Sequence, residues 1–128
     1  MTPGARVAAA IEILDDILAG AVPEKALTGW GRSHRFAGSK DRAAIRDHVF
    51  SALRRRASFA CIGGAQTGRG IMLGAMRVDG RVDDMFNGEG HAPEAVQAGE
   101  DGQSLDAAAR EIRLDMPDWL LPHFDDAL

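Results

Sequence analysis

Apolar residues in this 128-residue chain recur at the spacing of an α-helix and nowhere in the alternating runs of a strand. At 100° per residue Val7, Ala10, Ile11, Leu14, Ile17 and Leu18 share one stripe, with Glu12, Asp15 and Asp16 on the opposite side. β-branched residues are scattered and tyrosine is absent, which disfavours sheet. The fold class expected is all-α, a compact bundle of about six to seven helices. At this length residues 1–128 make one domain, with enough interior to do without disulfides or a structural metal.

Capping residues set the expected boundaries. Thr2 followed by Pro3 opens a helix over residues 3–19, and Gly20 stops it. Pro23 opens a second segment carrying Ala26, Leu27 and Trp30, which runs out into a basic loop over residues 31–38. Ser39 caps a third and longest helix, residues 40–62, with Ile45, Val49, Ala52, Leu53 and Ala60 on one face and Gly63-Gly64 at its end. Its length makes it the expected central helix. Thr67 caps a fourth helix bearing Ile71, Met72, Ala75, Met76 and Val78, stopped by Gly80. A short turn of helix over residues 82–86 precedes a mobile connection with a short helix at 93–98. Ser104 caps a brief helix to residue 110, and Pro117 starts a last one over 118–128. That pattern is still amphipathic at Leu128, as though the chain were cut there.

Charge is segregated along this frame. Between Gly31 and Arg77 stand ten Arg or Lys and two acids, Asp41 and Asp47, a local balance of +8 in a chain whose total is −4. A folded domain that gathers cations on one face attracts polyanions whatever its net charge. On the third helix Arg54 and Arg55 project away from the apolar stripe, with Asp47, Ser51 and Ser58. Arg42, Arg46 and Arg56 fall on or beside it. Burying an unpaired arginine costs several kcal/mol, so Arg42 and Arg46 are assigned to structural ion pairs with neighbouring helices. Arg32, Arg35 and Lys40 from the preceding loop, with Arg54, Arg55 and Arg56, form the candidate phosphate-tracking patch, against the plain alternative of a solvated charged face.

Other chemistries lack their residues. The run from Gly63 to Gly70 has glycines spaced like a nucleotide loop, but Arg69 and Gly70 stand where a P-loop needs Lys and Ser or Thr, and a helix precedes it. It reads as an inter-helix turn. His34, His48, His91 and His123 are far apart and near no second cysteine, so no metal site is expected. Cys61, the only cysteine, lies in the apolar stretch Phe59-Ala60-Cys61-Ile62 and is expected in the core rather than as a nucleophile. No catalytic or cofactor-binding residue is assigned. Without a signal-peptide layout or a membrane-length apolar run, the expected location is cytoplasmic.

Taken in order, these elements resemble a known family. An opening Ala5-Arg6-Val7-Ala8-Ala9-Ala10-Ile11-Glu12-Ile13-Leu14, then Asp41-Arg42-Ala43 leading through Phe50 to Leu53-Arg54-Arg55-Arg56, and later Leu114-Asp115-Met116-Pro117-Asp118-Trp119-Leu120, look like the NusB-like N-terminal domain of RsmB/NOP-family RNA methyltransferases. The likeness spans nearly the whole chain, carried by the order of short motifs. It implies an accessory RNA-binding module that positions ribosomal RNA for its own C-terminal catalytic domain, absent from this chain. There S-adenosylmethionine would methylate carbon five of a cytosine. The family's catalytic residues have no matching positions here. Two other readings accompany it: a free-standing NusB-type antitermination factor, and a structural protein-interaction domain.

Overall fold

Side-chain caps at Thr2 and Thr67 start two of the helices. In the structure, a computed structural model that describes residues 1–103, Thr2 Oγ1 accepts from the Ala5 amide at 3.1 Å, and Pro3 takes the first helical position of α1 (Pro3–Leu18). There follow α2 (Pro23–Ser33), α3 (Ser39–Arg54), α4 (Arg56–Gly63), α5 (Gly68–Asp79) and α6 (Val82–Met85). The protein is an all-α bundle, with six helices and no strand among the described residues. The helices expected at 104–110 and 118–128 lie outside them.

α1, not the third helix, is the central element. It packs against α2, α3, α5 and α6, and its Val7, Ala10, Ile13 and Leu14 are wholly buried. Small alanines along α1 let its neighbours approach closely, while Ile45 and Val49 of α3 and Ile71, Met72 and Leu73 of α5 close the core over it. Arg6 of α1 ties α3 at the rim, its Nε donating to Asp41 Oδ1 at 2.9 Å. That hydrogen bond, the largest cause, holds the Asp41 carboxyl below its ordinary value. The same carboxylate reaches back to the Gly38 amide at 3.2 Å, so the N-cap of α3 is Gly38 and Ser39 is already helical.

The expected long third helix is two helices. Its ladder breaks at Arg55 (φ −120°, ψ 27°), which belongs to neither and whose amide still reaches Ser51 O at 3.3 Å. In one continuous helix Arg56 would extend the Ile45, Val49, Ala52 stripe into the core. The break shifts the phase, leaving Arg56 exposed and Ser58, expected in solvent, buried.

α4 and α5 then pack at near backbone contact. A Cβ added to Gly63 would fall on the Gly70 carbonyl, and one added to Gly74 on the Phe59 carbonyl, so this crossing admits only glycine. Gly64 ends α4 in the left-handed region at φ 86° and Gly80 ends α5 at φ 69°. Cys61 is half-buried on α4 and stands outside the core cluster.

Residues 93–98 form no helix. This segment and its continuation instead make a strap tied to α4 and α5. Arg69 donates through Nε and Nη2 to both Glu100 carboxylate oxygens, at 2.6 and 2.9 Å, and Arg77 bridges Ile62 O (2.7 Å) and Glu100 O (2.6 Å). The Gln103 amide donates to Cys61 O at 3.0 Å. Arg69 Nη2 also donates to Glu94 O and Ala95 O, at 3.0 and 3.1 Å, so two guanidiniums satisfy backbone carbonyls of the strap.

Candidate nucleic-acid interface

The structure sorts the ten cations between Gly31 and Arg77 into two kinds. Arg42, Arg46, Arg69 and Arg77 spend their donors inside the molecule. Arg32, Arg35, Lys40, Arg54, Arg55 and Arg56 are exposed and make no ion pair or side-chain hydrogen bond among the described residues.

Arg42 binds carbonyls, not a carboxylate. Its Nε donates to Ala37 O at 2.9 Å and its Nη2 to Gly31 O at 3.0 Å and His34 O at 3.4 Å. It therefore holds the α2–α3 loop, and with it Arg35, against the start of α3. A Cβ at Gly31 would fall on Arg42 Nη1 and push the guanidinium off its carbonyls. Arg46 pairs with Glu24 of α2 through Nη1 and Nη2, the Nη1 contact measuring 3.0 Å, and lies 4.9 Å over the Phe50 ring. The hydrogen bond to Arg46 is the main cause that lowers the Glu24 carboxyl, while the arginine is raised in turn. Both side chains are largely exposed, so this pair adds little stability but cancels charge on the cleft wall.

Arg32, Arg35, Arg42 and Arg46 line one cleft of about 530 Å³ between α2 and α3, with Glu24 its one acid. Arg54, Arg55 and Arg56 stand at the α3–α4 junction. Lys40 and Arg54 lie about 21 Å apart along α3 and within about 40° of one another around it, so they share a face. Asp47 is on that face between them and is exposed. These six cations therefore form two groups at opposite ends of α3, separated by an acid, rather than one continuous patch.

Arg69 and Arg77 show what sequence reasoning missed inside the basic block. Their acceptors are a strap carboxylate and main-chain carbonyls, which leave no short-range pattern. Asp15, expected on a solvated face, accepts from the Gly68 amide at 2.8 Å, while Thr67 Oγ1 accepts from Gly70 at 3.0 Å. The N-terminus of α5, where a phosphate loop would present its amides, is filled by a carboxylate of the chain itself. Among the described residues no three His, Cys, Asp or Glu side chains gather to hold a metal, and no helix is long and apolar enough to cross a membrane.

An aromatic stack adjoins the cleft. Trp30 and His34, one turn apart on the end of α2, lie face to face with centroids 4.2 Å apart and planes 6° apart, and Phe36 meets His34 edge-on at 5.9 Å and 70°. The four-residue spacing of Trp30 and His34 is the signal that would have found it. Compared with known proteins, the chain matches no family model, no curated protein and no solved structure.

Proposed function

We propose that this chain is an RNA-binding module that holds the phosphate backbone with Arg32, Arg35 and Lys40 at one end of α3 and Arg54, Arg55 and Arg56 at the other. One observation carries this reading: among the described residues these six cations make no ion pair or side-chain hydrogen bond, while the other four of the block are neutralised or bound to carbonyls. Stability does not call for three arginines at the junction, since cations near a helix C-terminus contribute only about 0.3–1 kcal/mol each. A phosphate chain supplies the counter-charge, and each contact releases a condensed counterion.

The family resemblance supplies the finer reading. The module would position ribosomal RNA in the cytoplasm for an S-adenosylmethionine-dependent cytosine-5 methyltransferase domain outside this chain. Its own part is binding.

Reversing Arg54, Arg55 and Arg56 together to Glu tests the reading. The three side chains are exposed and bonded to nothing among the described residues, so helicity and melting should hold. Affinity for structured ribosomal RNA should fall at least tenfold. Undiminished affinity in the folded triple variant would refute the assignment.

A further inference from the structure

The geometry points to a base-stacking subsite on Phe36, which takes an unpaired nucleobase of single-stranded RNA while Arg32 and Arg35 hold the adjoining phosphates. This inference rests on the RNA-binding reading and narrows it from RNA in general to unpaired nucleotides.

Phe36 is 74% exposed, the most open of the large apolar side chains among the described residues. It is not a loose side chain on a loop tip. Its ring meets His34 at 70°, His34 stacks on Trp30, and Trp30 Nε1 donates to Glu12 Oε2 of α1 at 3.3 Å, so the stack is tied to the core helix. The backbone beneath is fixed by Arg42, which binds the carbonyls of His34 and Ala37 on either side of Phe36. Water is a poor neighbour for so large an apolar face, and a π-face of this kind accepts any base.

Charge decides the occupant. Phe36 follows Arg35 directly, and Trp30 lines both the arginine cleft and a second cavity of about 650 Å³ that Phe36, His34 and His91 also line, where the one carboxylate, Glu12, accepts from Trp30. An apolar protein surface wide enough to cover Phe36 and the neighbouring arginine cleft would strip water from Arg35, which makes no ion pair among the described residues, a cost that a phosphate avoids. A paired base inside a duplex has no free face, so the platform selects single strands.

His34 adds a polar contact. The Trp30 carbonyl only accepts, so His34 Nδ1 carries the proton and donates to it at 2.8 Å. With Nδ1 so engaged, Nε2 is the ring nitrogen left for a second polar contact, suited to a 2′-hydroxyl.

The test titrates the whole chain, wild type and Phe36→Ala, with a labelled single-stranded oligoribonucleotide and with an RNA duplex of the same length. Wild type should prefer the single strand. Phe36→Ala should cost roughly 5- to 150-fold on the single strand, the range for one base–aromatic stack, with the salt slope unchanged because no phosphate contact is lost. Phe36→Trp should restore affinity. Phe36 is exposed, so melting serves as the control for folding. If Phe36→Ala binds single strands as wild type does, the subsite is overturned and the platform belongs to another ligand class, while RNA binding through the arginines still stands. If wild type binds neither RNA, both readings fall.

Discussion

Arg42 holds three carbonyls, and this governs what its replacement should do. A guanidinium presents its donors in a fixed planar fork, whereas an ammonium is a point charge on a flexible stem. Arg42→Lys keeps the charge but cannot serve Gly31, His34 and Ala37 together, so it should lower stability by about 1–2 kcal/mol, read as a lower urea midpoint at unchanged slope. A midpoint equal to wild type would mean that the loop does not depend on these bonds. The projection from sequence set Arg42, Arg46 and Arg56 on or beside the apolar stripe; all three are exposed, but Arg42 and Arg46 bond to neighbouring segments of the chain while Arg56 bonds to nothing among the described residues. It looked for carboxylate partners because acids are visible in a sequence. Carbonyl acceptors are carried by every residue and mark no position, so the partners of Arg42, and those of Arg77, could not be read beforehand.

Helix ends were legible wherever a side chain or a glycine sets them locally. Thr2, Thr67, Gly64 and Gly80 do so, and the boundaries they mark agree with the structure to within a residue or two. The break at Arg55 was not legible, because no Gly or Pro marks it. It follows from tertiary demands: Arg56 must leave the core stripe, and α4 must meet the glycine face of α5. That crossing gives a sharp expectation. Gly74→Ala would gain helix propensity of about 1 kcal/mol, but its Cβ would meet the Phe59 carbonyl. Backbone on both sides cannot give way as a side chain would, so the net result should be a loss of about 1–3 kcal/mol, seen as a fall in Tm. A raised Tm would show that α4 and α5 separate at little cost. The strap supplies a second expectation at this scale. Arg69 chiefly, and the Gln97 amide next, hold the Glu100 carboxyl at about 2 against an ordinary 4.5. A carboxyl lowered by folding stabilises the fold fully above its ordinary value and loses that contribution as pH falls through the lowered one. Stability should therefore decline from about pH 4.5 towards 2. Asp41 and Glu24, lowered mainly by their hydrogen bonds to Arg6 and Arg46, act in the same direction. Glu100→Gln should flatten part of this acid decline in melting curves and cost about 1 kcal/mol at neutral pH. An unchanged acid profile would deny the strap any share in stability.

Across the whole molecule, the linear charge count becomes a smaller and more specific field. The +8 of the sequence block includes four arginines that the fold consumes, so the attraction to polyanions rests on two groups about 21 Å apart along α3. Such a span covers several phosphates, and both groups engage only a strand that passes the exposed Asp47. The measurement closest to this account is the salt dependence of RNA affinity for the whole chain. With each phosphate contributing a slope of about −0.7 on a single strand, six contacts predict that log affinity falls against log salt with a slope of about −4. A slope near zero, with affinity the same from low to high salt, would contradict it.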